Sequence, residues 1–173
     1  MTYYIRQADR YSCGPVALQN LLIWVGIKDS RFSYEKLHSM CHCEEGKGTS
    51  TRYFHETLQF ITDRSVLQVD KFSYFPTIGE ITKHLKAVGV IILKYHWDQM
   101  AYTGEHYVFI SEIIDNKFSL INDDNPEAGY PIIELVIPRK LKRYLLPYEY
   151  APNAKYSEPQ DYKYPCAWFL NRY

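Results

Sequence analysis

Cys13 stands directly before Gly14 and Pro15, and His106 opens the apolar run 106–113. A thiol and an imidazole are the two side chains that nucleophilic acyl transfer asks for. One attacks a carbonyl as the thiolate, and the other removes and returns the proton. Gln7, shortly upstream of the cysteine, carries a side-chain N–H able to donate to a developing oxyanion. Asp123, with Asn122 and Asp124 on either side, offers an acceptor that can hold an imidazole in one tautomer. Asp123 is the preferred third member, and Asn122 or Asp124 are its alternatives.

These residues act together only if the chain positions them. Ala17, Leu18, Leu21, Leu22 and Val25 recur at helical spacing, which predicts a helix with one apolar face starting at the cysteine. Pro15 suits its first turn, and Gly26 is its stop. At that amino end the unpaired N–H groups and the macrodipole favour a thiolate, with a pKa lowered toward roughly 3.5–7.5. Gln7 then lies in the loop leading into the helix.

Ser33 is the expected cap of a short helix over 34–40. The sequence CHCEEGKG reads as a loop, and Thr49 or Ser50 caps a second amphipathic run with Phe54, Thr57, Leu58 and Ile61 on one side. Residues 66–72 alternate like a short strand. Ile78, Ile81, Leu85 and Val88 predict another helix, ended by Gly89. Residues 90–97 and 106–113 are β-branched and aromatic and read as strands. Asp115-Asn116-Lys117 is a hairpin turn, and 118–122 is the returning strand. In an antiparallel pair the start of one strand lies beside the end of the next, which brings Asn122, Asp123 or Asp124 to His106. Beyond a turn-rich loop, 132–137 is ambiguous between strand and helix, 139–146 reads as a short basic-faced helix, and about 147–173 is expected to be an irregular tail rich in Tyr and Pro. Helices first and antiparallel strands second is the order of an α+β domain.

Composition bounds the function. At 173 residues and 46% hydrophobic, the chain is expected to fold as a single domain with a real core. Twenty basic residues balance twenty acidic ones, so no charge excess argues for a nucleic-acid partner. The amino-terminal residues lack the apolar stretch of a secretion signal, and nothing approaches a membrane span. An intracellular, cytoplasmic protein with its four cysteines (13, 41, 43, 166) reduced is therefore expected.

Gln7, then Cys13-Gly14-Pro15, with His106-Tyr107-Val108 and Asn122-Asp123 downstream, resembles the papain-like cysteine peptidases. Among them the order is closest to the family that processes double-glycine leader peptides of bacteriocins, and to its stand-alone relatives. The likeness runs to about Pro126 and includes Gly48-Thr49-Ser50. Where that family has Asp-Pro after the second strand, this chain has Asp123-Asp124-Asn125-Pro126. The resemblance implies a papain-like fold, in which a helical lobe carrying Cys13 packs against an antiparallel sheet carrying His106 and Asp123. It also implies that Gln7 belongs to the oxyanion hole. The expected activity is a thiol peptidase, a hydrolase acting on a peptide or isopeptide bond of a peptide or protein substrate without cofactor or metal. A peptidyl transferase and a peptide-binding domain without turnover are the alternatives.

His38, Cys41, His42 and Cys43 form a tight His/Cys cluster, but adjacent donors rarely reach tetrahedral geometry around one Zn²⁺ ion, so helix-end packing is expected instead. His84 and His96 are read as structural or exposed. Lys140, Lys142 and Arg143 are read as a solvated face.

Overall fold

The computed structural model describes residues 4–9, 11–73, 77–87, 89–99, 102–114, 117–121, 165 and 167–172. Four helices, α1 (Cys13–Val25), α2 (Tyr34–Met40), α3 (Thr51–Thr62) and α4 (Ile78–Lys86), accompany five strands. The strands are β1 (Leu67–Ser73), β2 (Val90–Gln99), β3 (Tyr102–Ile114), β4 (Lys117–Ile121) and β5 (Ala167–Arg172), in the order β1-β5-β2-β3-β4. All four pairings are antiparallel, and the fold is α+β.

The sheet separates two apolar layers. Leu18, Leu21 and Leu22 of α1 and Phe54, Leu58 and Ile61 of α3 pack on one face, against Ile92, Tyr107, Phe109, Trp168 and Leu170. Ile81 and Leu85 of α4 cover the other, against Ile91, Leu93, Val108, Ile110 and Phe169. The period-2 alternation of β2 and β3 divides these residues between the layers. Each fully buried leucine of α1 stabilises the fold by about 1.5–3 kcal/mol. Phe54 stacks on Tyr107 with ring centroids 4.4 Å apart, which ties α3 to the middle of β3.

Helix ends follow local chemistry. Gly26 takes the left-handed conformation (φ 82°) and donates its N–H to Leu22 and Ile23 carbonyls, closing α1. Thr77 and Glu80 form a reciprocal capping box at the start of α4. At α3 the N-cap is Ser50, whose side chain makes no capping bond, so Thr49 is left for another task.

Two expectations change. The end of the irregular tail expected over about 147–173 is a strand, since Ala167–Arg172 is β5, while 147–164 lie outside the described residues. It is inserted in the interior of the sheet between β1 and β2. Trp168 and Leu170 face one apolar layer, and Ala167 and Phe169 the other. A strand buried on both faces has no polar alternation to announce it. Secondly, His106 does not open its strand: β3 begins at Tyr102, and His106 lies opposite Tyr95 in the long β2–β3 hairpin. The returning strand β4 sets Ile121 opposite Phe109. The proposed acid Asp123, with Asn122 and Asp124, lies outside the described residues, as do Cys166, Lys140, Lys142 and Arg143.

Candidate active site

Cys13 is the first residue of α1, and its side chain is 5% exposed. Two anchors hold the approach to it. The amide of Asn20, fully buried in α1, pairs with the backbone of Ile5: Ile5 N–H donates to Oδ1 at 2.8 Å, and Nδ2 donates to the Ile5 carbonyl at 3.1 Å. Asp9 Oδ1 accepts the N–H groups of Tyr11 and Ser12 at 2.8 and 2.7 Å, which shapes the turn into the helix. Gln7 sits between these anchors and is partly buried.

The backbone N–H of Tyr107, the residue after His106, donates to the Cys13 sulfur. A strand N–H points in the plane of its sheet. The sulfur therefore lies beside β3 at the peptide joining His106 and Tyr107, whose side chains leave the strand on opposite faces, that of Tyr107 toward the α1 layer. His106 is partly exposed, whereas Tyr107 is buried. The Tyr107 hydroxyl donates to Thr51 Oγ1 at 3.1 Å, and the buried Lys94 ammonium donates to the same oxygen at 2.9 Å. Thr51 thus pins the start of α3 to β2 and β3.

On the other side of the sulfur stands Thr49. Its Oγ1 accepts the Gly14 N–H at 3.3 Å, donates to the Tyr11 carbonyl at 3.3 Å and lies 3.5 Å from Cys43 Sγ. Cys43 Sγ donates to the same Tyr11 carbonyl at 2.7 Å. Gly14 is required here, because a Cβ would fall 2.8 Å from Thr49 Oγ1 and closer still to its methyl carbon.

The thiol itself departs from expectation. Burial pushes Cys13 up to about 11, outweighing the donors that act in the opposite sense, the Tyr107 and Gly14 backbone and the Thr49 side chain. The helix terminus alone therefore does not produce a resting thiolate. Cys41 is pushed up to about 12 by the same desolvation, and Cys43 is raised as well.

The His/Cys cluster is engaged in packing. His38 meets the rings of Tyr11 and Tyr34, and His42 stacks on Tyr53 at 3.7 Å. Cys41 and Cys43 are buried free thiols. Among the described residues no group of three His, Cys, Asp or Glu side chains is arranged to hold a metal ion. His84 is structural: its Nε2 donates to the Leu170 carbonyl at 3.1 Å.

Reading by sequence missed the parts played by Thr49, Cys43, Asn20 and Lys94. Thr49 was visible only as a helix cap, and Cys43 only as a metal candidate. Asn20, a polar residue within the apolar run of α1, was the one available signal. Set beside protein-family models, curated proteins and solved structures, the chain matches none of them. No helix among the described residues is long and apolar enough to cross a membrane.

Proposed function

We propose that the protein is a papain-like cysteine peptidase, hydrolysing a peptide or isopeptide bond of a peptide or protein substrate. The observation that carries this reading is the bond from the Tyr107 N–H to the sulfur of Cys13, which sets the thiol at the strand segment holding His106. His106 takes the Cys13 proton as the sulfur attacks the carbonyl carbon. Gln7 and the Cys13 backbone N–H hold the resulting oxyanion. His106 then gives its proton to the leaving amine, and water hydrolyses the thioester. Asp123 orients the imidazole.

The raised Cys13 pKa makes the base indispensable. At pH 7 only about one molecule in ten thousand carries the thiolate unaided. A second reading, a peptide-binding domain on the same fold without turnover, is favoured by that same burial. Labelling with a peptide-based electrophile directed at reactive thiols separates the two. Wild type is expected to label at Cys13 at neutral pH, and Cys13→Ala and His106→Ala are not. Labelling that persists in Cys13→Ala, or equal labelling in His106→Ala and wild type, would overturn the peptidase reading.

A further inference from the structure

The Thr49 hydroxyl has one proton and more acceptors within reach than it can serve. In the neutral-thiol state it donates to the Tyr11 carbonyl at 3.3 Å. That carbonyl has a second donor at shorter range, the Cys43 thiol at 2.7 Å. The other candidate acceptor is Cys13 Sγ, to which Thr49 can also hydrogen-bond. Gly14 fixes the distance, since its N–H donates to Thr49 Oγ1 at 3.3 Å and its missing Cβ lets the threonine approach.

A thiol accepts hydrogen bonds weakly, whereas a thiolate accepts them strongly. Loss of the Cys13 proton thus changes which acceptor Thr49 should serve. If the hydroxyl left a buried carbonyl without any donor, the desolvation cost would cancel much of the gain. Here the Cys43 thiol keeps the Tyr11 carbonyl satisfied. We propose that Thr49 is a thiolate-stabilising residue, its hydroxyl turning from the Tyr11 carbonyl to Cys13 Sγ as the thiol ionises, while the Cys43 thiol holds that carbonyl. With the Tyr107 and Gly14 N–H groups, Thr49 completes a three-donor cradle around the sulfur. This deepens the proposed function, resting on Cys13 as the reacting thiol.

The groups facing this cradle come from each element around it. Tyr107 belongs to β3 and follows His106 in the chain, Cys41 and Cys43 belong to the segment after α2, and Asp9 to the entry loop. Lys94 of β2 stands beyond Thr51. Of these, Cys43 opposes a negative charge on Cys13, Asp9 acts on Cys43, and none of them can substitute for a hydroxyl at the position of Thr49.

The test is the pH profile of Cys13 alkylation by iodoacetamide, followed by peptide mapping in the intact protein. Thr49→Val keeps the methyl contact at Gly14 and removes the hydroxyl. It is expected to slow Cys13 alkylation at neutral pH by about tenfold or more, the loss of one hydrogen bond to a charged acceptor, and to move the midpoint upward by about one pH unit. Thr49→Ser is expected to restore the wild-type profile. Cys43→Ala, which leaves the Tyr11 carbonyl to Thr49 alone, is expected to slow the reaction as well. An unchanged midpoint in either Thr49→Val or Cys43→Ala, or a Thr49→Ser profile matching Thr49→Val, overturns the proposal. Because the readout is alkylation, not turnover, the effect of Thr49 is legible even if His106→Ala shows that the peptidase reading fails.

Discussion

The backbone N–H of Tyr107 donates to the sulfur of Cys13, joining the start of the first helix to the long central hairpin. A donor from a rigid strand cannot move away as side chains repack, so it fixes the thiol against β3. That fixed point places Cys13 beside the residue preceding Tyr107, His106.

Substitution separates the roles in the proposed reaction. Cys13→Ala should abolish peptide hydrolysis, and His106→Ala should reduce it by about 10²–10⁴, the usual contribution of a general base. Gln7→Ala should cost about 10²–10³ in kcat for one lost oxyanion donor. Asp123→Ala tests the orienter. If hydrolysis survives it and fails in Asn122→Ala, the third member is the asparagine. Rates with a fluorogenic peptide pool check all five.

Asn20→Ala should lower stability by about 2 kcal/mol, because it strands the N–H and carbonyl of Ile5 in a partly buried site. Denaturant unfolding measures this. The same variant loosens the segment holding Gln7, so kcat should fall more than KM rises. A variant with full stability would show that water replaces the amide.

Alkaline pH should destabilise the fold through its buried thiols. Cys13 and Cys41 have folded pKa values of about 11 and about 12, above the ordinary value of 9.0. Between the ordinary and folded values the unfolded chain has lost the proton and the native state keeps it. Stability present below about pH 9 is therefore lost as pH rises through about 11 and 12. For Cys13 the loss is on the order of 3 kcal/mol. Cys13→Ala should flatten the decline in melting temperature between pH 9 and 11, and an unchanged decline would count against the shift.

At the acid end the capping box of α4 is the sensitive element. The Lys71 ammonium, 2.6 Å away, and the Thr77 backbone and hydroxyl hold the Glu80 carboxyl down to about 2. Its contribution is present above the ordinary 4.5 and is lost as pH falls toward 2. The side chain is 39% exposed, so solvent screens the ion pair with Lys71. Thr77→Ala should cost about 1 kcal/mol in urea unfolding at pH 7.

Much of the scaffold was legible in the residues themselves, because helix and strand periods are local. The apolar spacing from Ala17 to Val25 with Gly26 behind it forecast α1 and its stop. The two strands expected on either side of 115–117 pair antiparallel as β3 and β4, with Lys117 already in β4. The order of Gln7, Cys13 and His106 raised the expectation of a thiol chemistry, which the substitutions above test. Tertiary structure decided what local pattern cannot encode. β5 entered the sheet interior because packing on both faces, not alternation, defines it. The thiol pKa rose where the helix terminus alone argued for a fall, since burial depends on everything that covers Cys13. Thr49 and Tyr107 reach that sulfur from separate segments. Hydrogen-bond geometry between such segments is a property of the folded chain, and no spacing within any one of them contains it.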